Sequence, residues 1–200
     1  MRQRIPALLA ALVTLSLLSA CAATPPSGGA TPSATPSAAP TNSAASQSAG
    51  VMSSFTTTDL EGNEVDPSIF ADHDLTMVNI WATFCKPCID EMPELGEIHT
   101  EYAENGFQII GLVADTLSQD GKLDTAQVDT AKDIVDQTGA SYLHLLPSSD
   151  LFGILSQATA VPTTFFIDKN GAQVGYAYQG SRTKAQWTAI IDPLLAEVAE

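Results

Sequence analysis

The chain has 200 residues, with 23 acidic residues against eight basic ones and a formal net charge of −15. That length suits one domain with appendages rather than two full domains. Such an acidic surface repels phosphate backbones, so no nucleic-acid partner is expected.

The N-terminus opens with a short basic stretch, Met1 to Arg4, followed by an apolar run from Ile5 to Leu18. Ser19 and Ala20 are small, and Cys21 follows. This order reads as an export signal, too short for a membrane-spanning helix. Leu18-Ser19-Ala20-Cys21 resembles a bacterial lipobox, in which the cysteine is lipidated and becomes the mature N-terminus. The resemblance implies a signal peptide over residues 1–20 and lipidation at Cys21. It also implies a lipid-anchored protein on the extracytoplasmic face of a bacterial cell envelope. The other reading is an ordinary secretory signal cut after Ala20 or Ala23, which leaves Cys21 a free thiol. Either cut removes Arg2 and Arg4 and makes the chain more acidic. From Ala22 to Gly50 the residues are Ala, Ser, Thr, Pro and Gly, apart from Asn42 and Gln47. No charge or bulky apolar side chain is available to build a core, so residues 21–51 are expected to form a disordered tether.

The folded domain is expected over residues 52–200. Residues 53–58 read as a short strand, and Glu61-Gly62-Asn63 as a turn. Asp66-Pro67-Ser68 leads into a short helix or loop. Residues 75–82 are mostly apolar without alternation, the pattern of a strand covered on both faces. A helix is predicted from Lys86 to about Glu104, because Ile89, Met92, Leu95, Ile98 and Tyr102 recur at helical spacing. Asn105-Gly106 ends it. Residues 107–114 form a second buried-type strand, and residues 115–123 a polar loop. Asp124-Thr125-Ala126-Gln127 starts a helix that Gly139 stops. A strand over 142–146 and a short helix over 149–156 follow. Strands over 163–168 and 173–178 flank a tight turn at Lys169-Asn170-Gly171. Thr183-Lys184-Ala185-Gln186 reads as a capping box. Trp187, Ile190, Ile191, Leu194, Leu195 and Val198 give the last helix one apolar face, with Pro193 expected to kink or shorten it. Alternating strands and helices imply an α/β fold with a central mixed β-sheet, helices on both faces and an N-terminal β extension.

The chemistry concentrates at Cys85-Lys86-Pro87-Cys88. Cys85 falls at the start of a helix, where unpaired amides and the helix dipole favour a thiolate. Lys86 adds positive charge, and Pro87 fixes a backbone angle suited to a first helical turn. Cys88 lies one turn deeper, where it can attack a mixed disulfide. A disulfide here closes too short a loop to stabilise the fold much, so the pair points to chemistry rather than architecture. A zinc site is the competing reading, but zinc needs three or four protein ligands. There is no second cysteine pair, and His73, His99 and His144 are scattered. No metal is expected.

With these motifs the chain resembles the thioredoxin superfamily, in particular its TlpA/ResA-like branch of membrane-tethered thiol–disulfide oxidoreductases. The likeness spans about residues 52–199 and rests on three segments. Residues 81–88 resemble the active-site run, and Glu91-Met92-Pro93 the continuation of its helix. Residues 161–168, from Val161-Pro162 to Asp168, resemble the second signature. The resemblance implies a thioredoxin fold, a cis Pro162 facing the cysteines, and Val161 backbone groups that pair with substrate. Phe84, Lys86 and Pro87 would then form the substrate-contact surface. Asn79 stands where thioredoxin has a buried acid, and Glu91 falls on an acidic position seen in this branch. Glu91 is read either as a proton relay for Cys88 or as an ordinary solvated carboxylate.

The expected chemistry is reduction of client disulfides by Cys85 and Cys88, with no cofactor beyond that redox-active pair. The resemblance implies exported, disulfide-containing clients such as apocytochrome c, whose reduction serves cytochrome c maturation, or methionine sulfoxide reductase. It also implies a membrane electron donor of DsbD or CcdA type. Nothing in the sequence argues against a monomer. The alternatives are a disulfide-forming oxidase, which Lys86 favours, a peroxidase suggested by Thr83, and a non-enzymatic binding lipoprotein. A copper chaperone would need a three-residue cysteine spacing and a histidine motif that are lacking.

Overall fold

The computed structural model describes residues 50–199. The expected signal peptide, Cys21 and all but the end of the expected tether lie outside the described residues. The chain enters the domain at Met52, which is fully buried and whose amide donates to the Gly171 carbonyl (3.0 Å).

Two short strands, β1 (Thr57–Thr58) and β2 (Glu64–Val65), pair antiparallel around the Gly62 turn. The strand expected over 53–58 shrinks to two residues. Its preceding apolar side chains, Met52 and Phe55, instead turn inward to one core layer. Asp66 caps a 3₁₀ turn, Pro67–Phe70, by accepting from the Ser68 amide (2.8 Å).

The central sheet comprises β3 (Leu75–Trp81), β4 (Phe107–Val113), β5 (Leu143–Leu145), β6 (Thr163–Asp168) and β7 (Gln173–Gln179). Its order is β5-β4-β3-β6-β7. β3, β4 and β5 run parallel, while β6 pairs antiparallel with both β3 and β7. Every residue of β3 and β4 is buried, which explains their unalternating sequence. The period of two still sorts the side chains. Leu75 and Met77 enter one layer, and Val78 and Ile80 the other.

The helices are α1 (Lys86–Tyr102), α2 (Thr125–Thr138), α3 (Phe152–Leu155) and α4 (Lys184–Val198). The first layer takes α1, α2 and α4, through Met92, Leu95, Ile98, Ala131, Trp187 and Ile191. The second takes α3, the 3₁₀ turn and the N-terminal extension. Helix α1 ends two residues before Glu104. A 3₁₀ turn (Ala103–Asn105) then leads to Gly106, whose φ of 72° is left-handed. Asp124 caps α2 through the Ala126 and Gln127 amides, and Thr183 and Gln186 form the expected capping box of α4. Pro193 does not shorten α4, which continues to Val198. The proline removes one backbone donor, and the burial of Trp187 and Ile191 holds the helix regardless.

His144 in β5 reaches across β4 to Trp81 at the end of β3. Its Nδ1 accepts from the Trp81 indole N–H (3.2 Å), and its Nε2 lies 2.9 Å from the Ala140 carbonyl. Those partners require the neutral ring with its proton on Nε2. Gly111 makes the room, because a Cβ there would stand 2.1 Å from Nδ1. Burial pushes His144 down to about 4, against the weaker opposing pull of the Ala140 carbonyl. The unfolded chain therefore takes up a proton below about pH 6.5 while the folded chain resists until about pH 4. Stability contributed by the neutral ring is full above that window and falls by about 3 kcal/mol across it. In denaturant titrations at pH 7 and pH 4.5, His144→Gln should lose less stability on acidification than the native chain. Parallel losses would contradict this.

Candidate active site

The parallel strands β3 and β4 end side by side, and the chain leaving β3 turns at once into α1. Cys85 is the N-cap of that helix, and its sulfur accepts from the Cys88 amide (3.3 Å). A sulfur placed there receives the donors that a thiolate needs. Cys85 and Cys88 are joined as a disulfide, with Cα atoms 5.3 Å apart, and both are buried. The Val161–Pro162 peptide is cis, and Cys85 Sγ lies 3.6 Å from the Val161 carbonyl oxygen. The two signature segments, far apart in sequence, thus meet at one sulfur.

The remaining residues singled out in the sequence divide by exposure. Phe84 is 76% exposed beside the disulfide. Lys86 and Pro87 are also exposed. Lys86 Nζ is paired with Asp90 at 2.7 Å on the helix surface. Glu91 is the opposite case. It is only 4% exposed, so it is not a solvated helix carboxylate. Its Oε1 accepts from Asn79 Nδ2 (3.1 Å), and its Oε2 from the Arg182 amide (3.0 Å) and the Trp187 indole N–H (3.5 Å). Asn79 also donates to Thr164 Oγ1 (3.0 Å) in β6. Burial raises the Glu91 pKa, opposed in turn by the Arg182 amide, Asn79, Trp187 and the Arg182 charge. On α1, Glu91 follows Cys88 by three residues and shares its buried face.

Sequence reasoning missed two groups. The first is Arg182, whose guanidinium lies 5.0 Å from the ring centres of both Tyr178 and Trp187 while its amide binds Glu91. No spacing links Arg182 to Glu91; only the folding of the 180–183 segment onto α1 does. The second is Asp115, read simply as loop. Its carboxylate accepts from the Thr83 amide (3.1 and 3.0 Å) and hydroxyl (2.7 Å), and from Gln127 Nε2 (3.0 Å). Gln127 Nε2 also donates to Thr83 Oγ1. A polar residue directly after a buried strand that parallels the cysteine strand was the available signal.

A redox-capable cysteine pair at a helix N-terminus, opposite a cis-proline loop on a mixed sheet, defines a thioredoxin-fold redox protein. The Redoxin family model matches residues 33–191, and the chain belongs to that family as a ResA/TlpA-like member of the thioredoxin superfamily. Thiol-disulfide oxidoreductase ResA of Bacillus thuringiensis subsp. konkukian (strain 97-27) is 33% identical over 132 residues, 66% of this chain and 69% of that protein. ResA of Geobacillus kaustophilus (strain HTA426) is 28% identical over 65% of this chain and 68% of its own length. Among solved structures, a thiol:disulfide interchange protein of the thioredoxin family from Chlorobium tepidum TLS aligns with a TM-score of 0.58. It is 24% identical and covers 71% of this chain and 93% of its own.

The raised Glu91 pKa has a testable sign. The folded carboxyl keeps its proton above the ordinary value of 4.5, where the unfolded one has ionised. Its stabilising contribution is present below about pH 4.5 and is lost as pH rises through the folded value. Glu91→Gln lacks that loss. The stability of Glu91→Gln relative to the native chain should therefore rise with pH through this window, as read by urea unfolding at a series of pH values. A difference independent of pH would contradict the buried, proton-holding carboxyl.

Proposed function

We propose that this thiol–disulfide oxidoreductase works as a reductase of exported client proteins, outside the cytoplasm and anchored through a lipid on Cys21. The observation that carries the reducing direction is the placement of two carboxylates beside the cysteines, which offsets the thiolate-favouring amides at the α1 N-terminus. Stabilising the Cys85 thiolate would stabilise the dithiol state and make the pair an oxidant. Lys86, the nearby cation, is held by Asp90 on an exposed surface, where its field is screened. Glu91 is buried on the same face as Cys88, and Asp115 binds the loop just before Cys85. Carboxylates near the sulfurs disfavour thiolate and so favour a reductant.

The Cys85 thiolate attacks one sulfur of a client disulfide, and the client's other sulfur leaves as a thiolate that takes a proton. Cys88, deprotonated with Glu91 accepting its proton, then attacks Cys85 Sγ. The client departs as a dithiol, and Cys85–Cys88 remains as the disulfide. Val161 and the cis Pro162 face Cys85 and serve as the substrate-backbone contact, with Phe84, Lys86 and Pro87 around them. Two electrons and two protons from a membrane dithiol donor of DsbD or CcdA type restore the reduced state. Apocytochrome c and methionine sulfoxide reductase are suitable clients. The protein acts as a monomer and needs no further cofactor.

Equilibrating the protein with glutathione or dithiothreitol buffers gives the reduction potential of the pair. A value near about −270 mV is expected, against about −120 mV for the strong oxidant DsbA. A value at the oxidising end would replace reduction with disulfide formation while leaving the site intact.

A further inference from the structure

The large exposed apolar side chains among the described residues are Val51, Phe84, Leu117, Leu123, Phe152 and Tyr176. The topology sorts them. β3, β4 and β5 are parallel, so their carboxyl ends lie at one end of the sheet, where antiparallel β6 begins. Phe84 follows β3, Leu117 and Leu123 follow β4, and Phe152 follows β5. Phe84, Leu117 and Leu123 thus lie in the loops that leave the disulfide end of the sheet.

Residues 115–124 are an ordered miniature hairpin. The Ser118 amide donates to the Lys122 carbonyl (2.8 Å) and the Asp124 amide to the Thr116 carbonyl (2.9 Å). Gly121 supplies the tip with a φ of 77°. Leu117 and Leu123 are antiparallel bridge partners, so their side chains leave the same face. They are 36% and 43% exposed. The base of the hairpin is fixed to the disulfide loop through Asp115 and Thr83, two residues before Cys85. The two partly exposed leucines form a small apolar patch beside the disulfide loop that a partner can cover. The charges nearby indicate which partner. Lys122 is paired with Asp120 (2.9 Å) and Lys86 with Asp90, while Asp115 and Asp124 add negative charge.

We infer that this hairpin is a docking arm for the client, holding an extended segment that is apolar and cationic beside the client's reacting cysteine. The inference rests on the reductase reading, since continuity with the disulfide is what makes a client the occupant. A second copy of this acidic chain is disfavoured by charge.

The test uses a cysteine-free fluorescent peptide of leucine, lysine and serine, bound to the described domain within the full chain carrying Cys85→Ser and Cys88→Ser. Adding Leu117→Ser and Leu123→Ser should weaken binding about tenfold, the effect of withdrawing part of two leucine side chains from apolar contact. Replacing the peptide's lysines by glutamates should weaken it comparably. Unchanged binding in either comparison would overturn the docking arm. So would a leucine-dependent dimer in sedimentation. The native chain is assayed in parallel on glutathione disulfide and on a leucine- and lysine-flanked peptide disulfide. Loss of kcat/KM in Leu117→Ser/Leu123→Ser, with Cys85 and Cys88 both retained, confined to the peptide supports the arm, and equal loss on both substrates overturns it. Peptide binding without any disulfide reduction would leave the arm standing and remove the reductase.

Discussion

The Glu91 carboxylate is the contact on which the working geometry depends. A carboxylate almost out of reach of water is costly unless its oxygens are fully partnered. Here the partners come from three places: Asn79 in the central strand, the Arg182 amide in the loop before α4, and the Trp187 indole in α4. Satisfying one side chain therefore pins α1 to the sheet and to α4 together. Cys88 sits one turn before Glu91, so its depth and orientation are set by the same bonds. Asn79 reaches Thr164 as well, which extends the network to the strand that begins at the cis-proline loop.

The second sulfur is governed from the other side. Cys85 takes its donor from the helix terminus, while the loop that delivers it is clamped through Thr83, Asp115 and Gln127. Charge-assisted bonds of this kind are stronger than neutral ones and fix geometry as well as energy. The two carboxylates thus hold the segments on either side of the cysteine pair. The apolar hairpin that continues from Asp115 inherits a fixed position relative to the disulfide for the same reason.

Much of this was legible in the sequence. Unbroken apolar runs marked β3 and β4, helical spacing marked α1, and Asp124, Thr183 and Gly139 marked helix ends by capping chemistry. The cysteine pair and the Val161-Pro162 signature could be assigned to one site only through family resemblance, because nothing local to either segment reveals that they meet. Glu91 shows the limit more sharply. Its spacing from Cys88 was visible, but burial depends on Asn79, Arg182 and Trp187 converging from distant segments. Short elements were also poorly marked. β2 has two residues and no pattern of its own, and the strand over 53–58 shrank because Met52 and Phe55 answer to the core rather than to a ladder.

The central claim is a division of labour, with Cys85 attacking the client and Cys88 resolving the intermediate. It is tested most directly by mixing the reduced Cys88→Ser and Cys85→Ser proteins separately with a disulfide-bonded client and quantifying the covalent complex by mass spectrometry. The account predicts a stable mixed disulfide through Cys85 in Cys88→Ser and almost none in Cys85→Ser, whose remaining sulfur is the deeper of the two, 1% exposed against 5% for Cys85. Equal trapping by both variants, or trapping by Cys88 alone, would contradict it.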